Sequence, residues 1–214
     1  MFLFVTLLIA IIDSMHAQVP GAASHLASVH VVHFGNAVYA VPDNMGIVGT
    51  DPAQPAGYEY YRFKFLLPGF EPPNASNAEK FLSVTGHNII FGTIQYRPGV
   101  KLKDGEQNIF RGLPTPPPPH PHLEKVFDGF SKYVPANKFE DEFYFKNVNG
   151  RVFEFMCTQP NSPGVVQPKC HVLEQWDNGL IVFYAYDRTY APDALALDKR
   201  LRALMDSFRV RGPK

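Results

Sequence analysis

The chain has 214 residues, with Lys plus Arg at 20 and Asp plus Glu at 20, so its formal net charge is zero. That balance leaves no electrostatic footprint for nucleic acid or an anionic membrane surface, and nucleic-acid binding is disfavoured. Phe at 18 and Tyr at 10 against a single Trp favour strands over helices, while Pro at 20 and Gly at 16 stay below the content associated with disorder.

Residues 2–12, Phe-Leu-Phe-Val-Thr-Leu-Leu-Ile-Ala-Ile-Ile, form an apolar run with Asp13 directly behind it. As a helix the run measures roughly 17 Å, about half of a ~30 Å hydrocarbon core, which is too short to span unaided. The length suits the apolar region of a signal peptide, followed by Ser-Met-His-Ala-Gln, with Ala17 as the first cleavage position and Ala23 as the second. Met15 is large for its place, and no Lys or Arg precedes the run. A start further upstream would lengthen it into an uncleaved anchor; a buried N-terminal helix is the remaining reading, disfavoured by the lack of a polar face. The sequence therefore predicts a signal peptide or N-terminal membrane anchor over 1–23, and a single extracytoplasmic α+β domain over 24–214.

Within that domain, Ser28 to Phe34 and Ala37 to Pro42 are β-prone runs separated by Gly35-Asn36, a hairpin pattern. After a Pro/Gly loop, Tyr58 to Leu67 alternates, with Tyr61, Phe63, Phe65 and Leu67 on one face and Tyr60, Arg62 and Lys64 on the other. A short helix is expected over Ser76 to Leu82 and a strand over Asn88 to Arg97. Residues 112–122, Gly-Leu-Pro-Thr-Pro-Pro-Pro-Pro-His-Pro-His, cannot join a sheet, because proline donates no backbone hydrogen bond. They read as a stiff connector crossing one sheet, in preference to a linker between two small domains. Downstream, Phe143–Lys146, Val152–Cys157, Cys170–Trp176 and Leu180–Tyr186 are joined by turn-forming segments and predict an antiparallel meander. Pro192 and Asp193 suit the start of a closing helix. In it Leu197, Leu201, Leu204 and Phe208 make one apolar stripe that should lie on a sheet face, with Arg200, Arg202, Arg209 and Arg211 in solvent.

Cys157 and Cys170 stand thirteen positions apart around a loop rich in turn formers, Pro160, Asn161, Pro163, Gly164 and Pro168. A disulfide closing such a loop is worth on the order of 3 kcal/mol and is expected where oxidants prevail. A metal pair lacks the second set of ligands that zinc requires, and two buried thiols fit only if the chain is not exported.

Histidine is the natural place to look for chemistry. His30 and His33 point to opposite faces of a regular strand, and His120 and His122 sit in an exposed proline tract without a third ligand, so no metal site is expected. Glu140-Asp141-Glu142 lacks the spacing of a calcium loop and reads as a solvated strand entrance. No nucleophile elbow, Ser-x-x-Lys or phosphate-binding loop occurs, and nothing selects a distant triad such as Ser83, His87 and Asp187. Asn74-Ala75-Ser76 matches a glycosylation sequon, relevant only in a secreted eukaryotic chain. Tyr58, Tyr60, Tyr61 and Trp176 could form an aromatic binding face, although aromatic residues at strand spacing more often fill a core. No catalytic residue and no cofactor is assigned.

The resulting expectation is a binding or accessory protein of inhibitor or immunity type, exported or tethered, with a protein partner in the cell envelope. Two competing classes remain. One is an extracytoplasmic hydrolase or metal-dependent enzyme whose site is assembled across strands from His87, Glu140, Asp141, His171 and Asp187. The other is an envelope structural subunit that pairs through an edge strand.

Overall fold

The computed structural model describes residues 28–51, 58–82, 88–102, 123–133, 141–176 and 179–210. The expected leader over 1–23 and the proline-rich connector over 112–122 lie outside them. The first described elements are β1 (Val29–Phe34) and β2 (Ala37–Pro42), an antiparallel hairpin turned by Gly35 at φ +64°. It forms its own two-stranded sheet. Alternation buries Val32 and Phe34 from one strand and Tyr39 and Val41 from the other.

The remaining strands are β3 (Gly46–Asp51), β4 (Tyr58–Leu66), β5 (Ile89–Tyr96), β6 (Leu123–Lys125), β7 (Ser131–Tyr133), β8 (Glu142–Val148), β9 (Arg151–Cys157), β10 (Lys169–Gln175) and β11 (Leu180–Asp187). Among the described residues these nine make one antiparallel sheet in the order β3-β4-β5-β11-β10-β9-β8-β7-β6. Among the described residues there are also two α-helices, the short α1 (Ala78–Leu82) and the C-terminal α2 (Ala194–Phe208). The architecture is the expected α+β meander with a C-terminal helix packed on one face.

One face of the sheet, here the inner face, holds the core. Tyr61, Phe63 and Phe65 from β4 meet Ile90 and Ile94 from β5, Val182, Tyr184 and Tyr186 from β11, Val172 from β10, and Phe153 and Phe155 from β9. Onto them α2 lays Ala194, Leu197, Leu201 and Met205, while Leu204 and Phe208 pack at the margin. The rings interlock: Phe155 stacks on Tyr144 at 4.7 Å and takes Phe130 edge-on at 5.3 Å, contacts worth about 0.5–1.5 kcal/mol each beyond burial. Gly92 makes this packing possible. A Cβ there would lie 2.3 Å from the Phe183 carbonyl and 2.7 Å from the Phe63 ring.

Several boundaries differ from the sequence expectation for identifiable reasons. β3 falls where the sequence predicts loop, because Gly46 and Gly49 dilute its strand signal; those glycines leave room for the Tyr61 and Tyr60 rings. β6 and β7 have three residues each, too few to show a period. β8 and β9 run on to a two-residue Asn149-Gly150 turn with φ of +54° and +82°, the left-handed pair a tight hairpin needs. Pro192 falls in a 3-10 turn, Arg188–Asp193, rather than opening α2. Winding starts early because the Asp187 carboxylate accepts hydrogen bonds from the Thr189 N–H at 2.9 Å and its hydroxyl at 2.8 Å.

Between β9 and β10 the ladder pairs only Cys157 with Cys170 and Met156 with His171. The two cysteines are joined by a disulfide. At the other end of the same seam, Arg151 Nη2 donates to Glu174 Oε1 at 2.6 Å.

Candidate functional site

Two ionic networks occupy the inner face. In the first, Glu174 is only 4% exposed. Besides Arg151, its carboxylate accepts from Trp176 Nε1–H at 3.0 Å and from the Arg202 guanidinium. Asp198 accepts from Arg202 Nε at 2.7 Å and from the Tyr184 hydroxyl at 3.3 Å, and the guanidinium stacks over the Trp176 ring at 4.6 Å. Burial, then the neighbouring Asp198 carboxylate, push the Glu174 carboxyl up to about 7, against the pull of Arg202 and Arg151. Arg202 is therefore not the solvated residue expected of it. Arg200 and Arg209 are exposed, and Arg211 lies outside the described residues. An acid one turn earlier in the helix and another on the facing strand draw Arg202 inward. Both Glu174 oxygens are engaged, so the network fastens α2 to β10.

In the second network, Glu142 accepts from the Tyr144 hydroxyl at 2.8 Å, from Lys132 Nζ at 3.4 Å and from the Arg188 guanidinium, which also donates to the Thr158 carbonyl at 2.9 Å. Burial raises the Glu142 carboxyl, but the bonds from Arg188 and Tyr144 outweigh it and hold the group below its usual range. Glu142 is thus a structural anion rather than part of a solvated strand entrance. Its neighbour Glu140 lies outside the described residues.

Of the residues nominated for an enzymatic site, His87 and Glu140 lie outside the described residues, as do Ser83, His120 and His122. Asp187 caps the 3-10 turn and also accepts from Gln167. His171 stacks on Phe183 with centroids 6.0 Å apart. Burial pulls its imidazole below the usual value, opposed by Asp141 and reinforced by Lys169. His171 makes no hydrogen bond to either acid among the described residues, so these three do not assemble a proton relay. His30 faces Asp43 at 3.3 Å and His33 faces Glu59 at 3.9 Å. No group of three potential metal ligands occurs among the described residues. The aromatic residues also separate. Tyr61 is core and donates to the Met45 carbonyl at 2.8 Å, Tyr60 sits on the outer face, Trp176 belongs to the α2 network, and the Tyr58 side chain lies outside what is described.

The outer face carries a pattern that no single segment displays. Strand register aligns Ile47, Arg62, Thr93, Phe183 and Leu173 in one row across five strands. A second row runs Lys64, Phe91, Ala185, His171, Met156, Phe143, Tyr133 and Leu123 across eight. Towards the β3 edge this surface is open: Ile47 is 66% exposed and Phe91 39%. Its cations are held by rings and carbonyls. Arg62 lies 4.6 Å over Tyr60, while Lys64 Nζ donates to the Phe81 carbonyl at 2.8 Å and lies 5.6 Å over that ring. Large exposed apolar side chains beside fixed charges are the ordinary makings of a recognition surface.

Fold and surface together define an α+β protein built on an antiparallel sheet, one face closed by a helix and hairpin, the other mixing apolar and basic side chains. No protein-family model and no curated protein matches the sequence. The fold is similar to that of an immunity protein of the Stenotrophomonas maltophilia type IV secretion system, with a TM-score of 0.62 and 15% identity, over 91% of this chain and 100% of the other. At that identity the likeness is one of fold.

Proposed function

We propose that this chain is an immunity-type inhibitor, a non-catalytic protein that works outside the cytoplasm and neutralises a toxin protein by binding it. The observation that carries this reading is the extent of the fold likeness, which takes in the whole of a secretion-system immunity protein and nearly all of this chain. A disulfide between neighbouring strands supports an oxidising compartment. In this reading residues 1–23 deliver the chain as a cleaved signal or hold it as an anchor, and residues 24–214 form one domain.

The test is recovery of the tagged full chain from its native envelope, together with N-terminal sequencing. A stoichiometric protein partner, and loss of protection against that protein when the chain is deleted, are the expected results. A partnerless monomer that turns over ester or glycan substrates would replace this reading with the enzymatic one.

A further inference from the structure

Among the described residues, neither Arg62 nor Lys64 has a carboxylate within ion-pair distance; ring faces and one carbonyl hold both side chains. Among those residues their charge is thus held in position without being neutralised. An incoming carboxylate would gain a charge-assisted bond without displacing an internal acid. Their strand neighbours are the exposed Ile47, paired with Arg62, and the exposed Phe91, paired with Lys64. Behind them Phe183 and His171 stack and continue the surface inward.

Resting on the immunity-type reading, we propose that the β3–β4–β5 half of the outer face is the docking surface for the toxin, and that the toxin presents acidic side chains beside an apolar one. Charge complementarity selects this occupant. A second copy joined symmetrically with these two cations near the axis would set like charges against one another, which is repulsive. Nucleic acid would need a broader basic field than Arg62, Lys64 and Lys169, the last beside Asp187, on a chain of zero net charge, and would leave Ile47 and Phe91 without an apolar partner.

The experiment uses the full chain and the protein it retains from the native envelope, joined by a zero-length carbodiimide cross-linker that couples lysine to carboxylate. An isopeptide from Lys64 to an Asp or Glu of the retained protein is expected, together with at least a tenfold loss of affinity in the Arg62→Glu, Lys64→Glu double variant. Arg62→Gln with Lys64→Gln, expected to weaken binding about threefold, serves if charge reversal impairs folding; circular dichroism establishes that each variant is folded. Equal retention by wild type and folded variants, cross-links confined to another face, a symmetric dimer through Arg62 and Lys64, or nucleic acid as the retained species would each overturn the inference while leaving a protein-binding role testable. Retention of no protein by the wild type would remove the immunity-type reading itself, and this surface with it.

Discussion

The two faces of the sheet handle charge in opposite ways. On the inner face the cations of the two networks meet acids: Arg202 and Arg151 share Glu174, and Arg188 takes Glu142. On the outer face near β3, Arg62 and Lys64 lie against rings with no acid in reach among the described residues. Burial explains the difference. An unpaired charge under α2 would carry a desolvation penalty of several kcal/mol, whereas one at the surface is screened by water. The inner network thus serves the fold, and the outer cations remain available to something else.

The sharpest contrast is between phenylalanines. Phe155→Ala, in the inner core, is expected to lower stability by about 3–5 kcal/mol in urea unfolding, whereas Phe91→Ala on the outer face should cost about 1 kcal/mol or less. Comparable losses would mean that the outer face is covered in solution. Next, Arg202→Met removes the cation that Glu174 and Asp198 share, leaving Glu174 to Arg151 and Trp176 and Asp198 to the Tyr184 hydroxyl, and should cost about 3 kcal/mol, read as a shift of the urea midpoint at pH 7.5. Replacing its acid partners as well, Arg202→Met with Glu174→Leu and Asp198→Leu, should recover much of that loss.

The two inner carboxylates should titrate in opposite senses. Glu174 binds its proton more tightly folded, at about 7, than unfolded, near the ordinary 4.5. The stability it contributes is fully present below about 4.5 and is lost as pH rises through about 7. Glu142 is depressed, so its contribution is present above the ordinary carboxylate range and is lost as pH falls through its folded value. Unfolding midpoints between pH 3 and 8 should therefore lose their neutral-side decline in Glu174→Gln and part of their acid-side decline in Glu142→Gln. An unchanged profile in both variants would show that neither network titrates as described. The smallest effect belongs outside: Arg62→Gln should move stability by no more than about 0.5 kcal/mol.

Much of this fold is legible in the sequence where period and turn chemistry agree. Tyr61, Phe63 and Phe65 alternate cleanly, and Asn149-Gly150 dictates a hairpin. Legibility fails where the decisive partner lies on another element. Nothing around Gly46 or Gly49 reveals the tyrosine rings that require them, and the sequence around Arg202 does not show Glu174 waiting on a facing strand. The outer surface is the extreme case. Ile47, Arg62, Phe91 and Phe183 become neighbours only through register, which no local pattern records.

The seam between β9 and β10 adds a mechanical consequence. With two ladder pairs, one sulfur bridge, the Thr158–Lys169 backbone bond and the Arg151–Glu174 contact spanning it, and the Arg188–Glu142 pair reaching over it, this line has the fewest ladder pairs of any join in the nine-stranded body among the described residues. Cutting that one covalent bond would remove a single clamp between the β6–β9 leaf and the β3–β5–β11–β10 leaf, while the Arg151–Glu174 and Arg188–Glu142 pairs and the Phe155–Tyr186 contact still tie them.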